Sequence, residues 1–211
     1  LIQIIKFKHN NTLLLPKVKI SDKPDSSYRG LMIDLSRMWH DLESIRNVID
    51  MASLYKIKYL QLHLSDDQAF VFPSDSFPNL PTPDRPYSKK DFRKLVDYAK
   101  VRGVTIIPEI DVPGHSRQFI ETYPEIFDVN NGVKKSNVIN IADEKVYSAL
   151  DQIISEVAEI FYNSPYIHMG ADEAKLDLYK NVNEVKSFMN KNKLGNDIHE
   201  LYRYFIVRIN E

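Results

Sequence analysis

Asp172 and Glu173 stand side by side at the end of a short apolar run, Tyr166-Ile167-His168-Met169-Gly170-Ala171-Asp172-Glu173. Three other short apolar runs are also followed by ionisable or polar residues. Arg37 and His40 follow Leu31–Leu35, and Asp66, Asp67 and Gln68 follow Tyr59–Leu64; Asp111 and His115 follow Thr105–Ile110. Enzymes that cut glycosidic bonds commonly hold two carboxyls apart, one on each side of the scissile bond. Adjacent carboxyls suit a different division of labour. A charged Asp172 is expected to raise the proton affinity of Glu173 and keep it protonated near neutral pH, as a general acid requires.

Such residues act together only if the fold gathers them, and the chain carries one repeated rhythm. Leu31–Leu35 reads as a buried strand. Asp41 then opens a helix with Leu42, Ile45, Val48, Ile49 and Ala52 on one face. Tyr59–Leu64 is the second strand. Ser88 reads as an N-cap, with Asp91 three residues on and Phe92, Leu95, Val96 and Ala99 at helical spacing up to Gly103. Thr105–Ile110 is the third strand, and Lys145–Phe161 the next helix. Tyr166–Met169 is the fourth strand, and helical patterns over Val182–Leu194 and Ile198–Ile209 close the chain.

Four alternations of strand and helix argue for right-handed βαβ units and a parallel sheet. An open doubly wound sheet would carry a glycine-rich phosphate loop, which this chain of six glycines lacks. A barrel gathers functional residues at the C-terminal ends of its strands, where this sequence puts them. The expected fold is therefore α/β, a partial (β/α)8 TIM barrel of about the first four βα units, since a whole barrel takes about 250 residues. Residues 25–211 form this half barrel. Residues 1–24 fall outside the rhythm: Ile2–Ile5 and Leu13–Leu15 suggest strands of an upstream element, and Pro16 and Pro24 mark a linker. Leu1-Ile2-Gln3, with no Met and no basic leader, reads as a cut inside a longer protein.

Composition narrows the chemistry. With 211 residues, 43% of them apolar and 27% charged, the chain can bury a sizeable core. A net charge of −1 gives no reason to invoke nucleic acid. The absence of cysteine excludes a thiol nucleophile, a disulfide framework and a cysteine-ligated zinc. No apolar run approaches the ~20 residues that span a bilayer.

Blander readings compete for each residue. A lone Asp or His after a strand is commonly a turn former or a cap. His63, inside a strand run, reads as a satisfied core histidine; Trp39 reads as a packing residue and Lys134-Lys135 as a solvated loop. Clustering after all four strands outweighs these readings for the set as a whole. A metal site of His63, Asp66, His115 and His168 lacks any known helical ligand spacing. Ser-His-Asp hydrolysis lacks its Gly-x-Ser-x-Gly elbow. A non-catalytic sugar-binding module would not need two carboxylates pressed together, because desolvating them is costly.

What the adjacent acids lack is a nucleophile across the anomeric carbon. A 2-acetamido sugar brings its own, the carbonyl oxygen of that group. Asp172 would then hold the acetamido N–H and balance the developing positive charge, a recognised exception to the two-carboxylate scheme.

Five motifs in register carry a resemblance. They are Arg29-Gly30-Leu31-Met32-Ile33-Asp34 with Ser36-Arg37, His63-Leu64-Ser65-Asp66-Asp67-Gln68, Phe77-Pro78-Asn79-Leu80, Pro108-Glu109-Ile110-Asp111-Val112-Pro113-Gly114-His115 and His168-Met169-Gly170-Ala171-Asp172-Glu173. From about Tyr28 onward the chain resembles the catalytic domain of family 20 glycoside hydrolases, the β-N-acetylhexosaminidases. The resemblance implies Glu173 as general acid/base and Asp172 as the residue that orients the acetamido group. It implies a supporting network of Asp66 and His115, and Arg29 as ligand to sugar hydroxyls O3 and O4. Asp111 and His168 are implied as further pocket residues, with no metal or organic cofactor.

The partner so implied is a carbohydrate ending in N-acetylhexosamine, and the family habit is export or a lysosome-like compartment. Ala171 stands where the family commonly has glycine, and Met38-Trp39-His40 interrupts a usual Arg-His pair. Two alternatives stay open: an inactive relative that binds amino sugars, and a glycosidase whose carboxylate nucleophile lies outside this chain. Half a barrel has two open sheet edges, so the chain by itself is expected to be inactive.

Overall fold

The computed structural model describes residues 2–8, 11–130 and 136–211. Lys134 and Lys135 lie outside the described residues. At the N-terminus, β1 (Lys6–Lys8) and β2 (Thr12–Leu14) form a small antiparallel pair. The strand expected over Ile2–Ile5 is instead a 3-10 turn at Ile2–Ile4. The pairing of Lys6 with Leu14 shows why: continued by two residues, it would set Ile4 opposite Pro16, which has no N–H to donate.

The main sheet has the order β3-β4-β5, all parallel: β3 (Gly30–Asp34), β4 (Tyr59–His63) and β5 (Thr105–Glu109). Helix α1 (Leu42–Leu54) joins β3 to β4, and α2 (Lys89–Lys100) joins β4 to β5. Each starts at the cap its sequence advertises. The Asp41 carboxylate accepts from Ser44 N–H at 2.7 Å, and Ser88 and Asp91 complete a reciprocal capping box. Apolar faces follow the expected spacing, with Ile45, Ile49 and Ala52 on α1 and Phe92, Leu95, Val96 and Ala99 on α2 buried.

The expected fourth strand is reduced to a single parallel bridge, Glu109 to His168. His168 N–H donates to Pro108 O, and Ile110 N–H donates to His168 O. Bonding directions alternate along a parallel strand, so Pro108 is the residue that should return a bond to Tyr166. Its ring leaves no donor, and the ladder stops after one rung.

Beyond β5 come α3 (Arg117–Thr122), α4 (Pro124–Phe127), α5 (Glu144–Ile160), a 3-10 turn at Leu176–Tyr179, α6 (Asn183–Lys191) and α7 (Ile198–Ile209). The two short helices and the 3-10 turn are additions to the sequence reading. Helix α5 buries Val146, Ala149, Leu150, Ile153 and Val157 in the same core as Leu60, Leu62 and Ile106. Among the described residues no helix is long and apolar enough to cross a membrane.

Candidate active site

Parallel register brings the last residues of the strands level with one another. Asp34 pairs with His63, His63 with Glu109, and Glu109 with His168, so one cross-strand rung reads acid, imidazole, acid, imidazole. Residues paired in this way project to the same face of the sheet. His63 is buried, with Nε2 at 3.0 Å from Asp66 Oδ2 and Nδ1 at 3.0 Å from Glu109 Oε2. Glu109 also accepts from Gln61 Nε2 at 2.8 Å and meets His168 Nδ1 at 3.0 Å.

Above this rung lies the mouth. Asp66 is buried, accepts from Asp67 N–H and pairs with an Arg37 guanidinium nitrogen at 2.6 Å. Arg37 also pairs with Asp34 at 2.8 Å. His115 bridges the two halves of the site, with Nδ1 3.6 Å from Asp66 Oδ2 and Nε2 3.4 Å from Glu173 Oε2. The same Nε2 lies 4.0 Å from Asp172 Oδ2, so both adjacent carboxylates converge on one ring nitrogen. All three spacings are longer than an ordinary hydrogen bond.

The loop that carries the acids is fixed by close backbone approaches. Gly170 has φ +61°, and a Cβ there would overlap the Asp111 carboxylate. Ala171 N–H donates to Asp111 Oδ1 at 3.1 Å, and Tyr202 on α7 donates its hydroxyl proton to Ala171 O. Gly114 lies under the Asp172 carbonyl, where a side chain would collide. Asp111 N–H donates to Ser65 Oγ at 2.8 Å, which ties the β4 loop to the β5 loop.

Electrostatics sort the carboxylates. Burial pushes Asp111 up to about 7; nearby His115 opposes this and nearby Asp172 adds to it. Burial also disfavours charge on His63, yet its bonds to Asp66 and Glu109 outweigh that and raise it to about 10. Asp66 and Glu109 are held below the usual carboxylate range, because their bonds to His63 and other donors outweigh the cost of burial. Asp172 and Glu173 are both largely exposed, so the expected desolvation of the pair is not present in this chain.

The structure gathers Asp66, Asp111, His115, Asp172 and Glu173 directly, and His168 through Glu109. Arg29 it does not bring in. Arg29 precedes β3 at the end remote from Asp34, and its guanidinium donates to Lys56 O at 2.8 Å and Ser26 O at 2.5 Å. Eight residues on, Arg37 is the arginine at the mouth. Asp67 serves the loops instead, accepting from Arg117 N–H and Asn137 Nδ2. His40 makes backbone bonds with the Tyr87 hydroxyl, and Trp39 stacks on the Tyr87 ring while staying partly exposed.

Sequence reasoning gave no role to Glu109 or Tyr202. A signal for Glu109 was present: it is the last residue of its strand, level with His63. Tyr202 carried none, because its contact spans the chain between distant elements.

Asp34, His63 and Asp66 are close enough to pose the question of a metal ion. The donor set does not fit one. Both His63 nitrogens are engaged by carboxylates, and Arg37 already pairs with Asp34 and Asp66. A cation would have to expel the guanidinium.

The family model for the catalytic domain of glycosyl hydrolase family 20 matches residues 27–211. The chain belongs to glycosyl hydrolase family 20. A beta-hexosaminidase of Vibrio furnissii is 32% identical, aligned over 90% of this chain and 35% of its own length. The structure of Flavobacterium johnsoniae chitobiase superposes with a TM-score of 0.83 at 28% identity, over 99% of this chain and 33% of that one. The family 20 exo beta-N-acetylglucosaminidase of Vibrio harveyi, solved in complex with N-acetylglucosamine, gives 0.82 at 26% identity, over 99% of this chain and 37% of that one. The chain thus spans about a third of the length of these family 20 relatives. Its βα units form a partial (β/α)8 barrel.

Proposed function

We propose that the protein is a retaining β-N-acetylhexosaminidase that removes terminal N-acetylglucosamine or N-acetylgalactosamine. The observation that carries this reading is the convergence of Asp172 and Glu173 on one nitrogen of His115. Two acids on one side of a sugar leave the opposite face of C1 to the substrate's own acetamido oxygen. Glu173 donates its proton to the leaving oxygen as the C1–O bond breaks and the acetamido oxygen closes on C1. Asp172 accepts the acetamido N–H and offsets the charge on the cyclic intermediate. Glu173 then takes a proton from water, which attacks C1 and reopens the ring.

Asp66 and His115 aim Glu173. The hydroxyl-binding role that the family resemblance gave to Arg29 falls to Arg37, whose planar fork is half-exposed at the mouth between two carboxylates. Asp111 braces the acid-bearing loop, and His168 joins it through Glu109. Residues 1–24 are read as the tail of an upstream domain or its linker.

The test uses the intact protein and a chromogenic N-acetyl-β-glucosaminide. Glu173→Gln should lower kcat by about 10³-fold or more, the scale of a lost general acid. Asp172→Asn should lower it by about 10²-fold. A thiazoline that mimics the cyclised intermediate should inhibit the wild type strongly. Equal hydrolysis of simple β-glucosides would defeat the acetamido mechanism.

A further inference from the structure

The alternating rung beneath the mouth has a member that the proposed reaction does not use. His63 sits in the middle of it, buried, with a carboxylate oxygen 3.0 Å from each of its ring nitrogens. A neutral imidazole carries one N–H and one lone pair, and a lone pair facing a carboxylate oxygen is repulsive. Two carboxylate contacts therefore require two N–H donors, which only the imidazolium has. The surroundings agree from every side. Asp34 faces His63 from β3, Asp66 from the β4 loop and Glu109 from β5, with Asp111 just beyond. The basic side chains nearby are Arg37 and His115, both on the far side of Asp66, and His168 on the far side of Glu109.

We propose that His63 is a positioning residue: a charged imidazolium under the mouth that keeps Asp66 ionised and aimed at Arg37 and His115. The consequence reaches Glu173 in two steps. Asp66 Oδ2 meets His63, Arg37 and His115 together, at 3.0, 2.6 and 3.6 Å. Without the His63 cation, a buried carboxylate keeps only a half-exposed guanidinium and protonates more readily. Once Asp66 is neutral, it no longer fixes the His115 ring, and Glu173 loses its orienting partner. His63 is raised to about 10, so this anchor persists across the neutral range.

The activity arm of the test rests on the proposed hydrolase function, and the spectroscopic arm does not. In the intact protein with nitrogen-labelled histidine, the His63 ring should show two N–H groups at pH 8, where an ordinary imidazole is neutral. A single neutral tautomer at pH 8 would overturn the proposal. Glu109→Gln, which removes one of the two anions, should move His63 deprotonation down by about one pH unit or more. No movement would count against it.

For catalysis, His63→Gln should shift the acidic limb of the kcat/KM profile upward by about one unit, a tenfold loss on that limb, with recovery above it. A uniform loss at every pH, with the limb unmoved, would assign His63 a packing role only. Absence of hydrolysis by the wild type would defeat the hydrolase reading, while the protonation state of His63 would still be decided by its ring signals.

Discussion

The turn that presents Asp172 and Glu173 holds Gly170, Ala171 and Glu173 at φ +61°, +70° and +49°. Left-handed backbone costs an L-residue about 1–2 kcal/mol, so the loop stores strain beside the residues proposed to react. Ala171→Gly should relieve the strain, set against about 0.5–1 kcal/mol of added chain entropy. The expected result is a net gain of about 0.5 kcal/mol in thermal denaturation with kcat unchanged. Gly170 is the opposite case, because a methyl there must displace the Asp111 carboxylate from Ala171 N–H. Gly170→Ala should cost about 2 kcal/mol or more and lower kcat/KM at least about tenfold. Normal activity in that variant would show that the Asp111 brace is dispensable.

At the scale of elements, α5 does more than cover the sheet. Glu156 on it accepts from Asp75 N–H at 2.7 Å, Ser76 N–H at 2.8 Å and Lys89 Nζ at 2.8 Å, stapling the loop after β4 to two helices. Burial favours the protonated acid, but Lys89 and the loop donors outweigh it and hold Glu156 at about 2. A depressed carboxylate stabilises the fold above its ordinary pKa of 4.5 and loses that contribution as pH falls through about 2. Glu156→Gln should therefore destabilise the protein by about 1–2 kcal/mol at pH 7, allowing for solvent screening. The difference from wild type should close as the two melting curves are compared from pH 5 down to pH 2. A gap that stays constant over that range would mean that the carboxylate's charge contributes nothing.

For the whole molecule, the open side of the sheet matters most. Among the described residues β3 has a single neighbouring strand, and Leu31 and Met32 on it are 41% and 51% exposed. An edge strand with exposed apolar side chains is a template for association. Residues 1–211 prepared alone should self-associate with rising concentration in sedimentation velocity and bind a hydrophobic dye. Met32→Glu should reduce both. A monodisperse, dye-silent monomer would show that the β3 edge is not a template for association.

By itself the sequence determined the βα rhythm, the caps at Asp41 and Ser88, and the loading of strand ends with acids and histidines. All three depend on local pattern: side-chain period, cap chemistry and short motifs. Tertiary structure decided what depends on register. Only pairing Asp34, His63, Glu109 and His168 on one rung turns a core histidine into a doubly bound ion. Only the direction of β3 separates Arg29 from the mouth and puts Arg37 in it. Pro16 and Pro108 were visible as letters, but which ladder bond each one removes follows from which neighbour it faces, and a linear sequence does not state that.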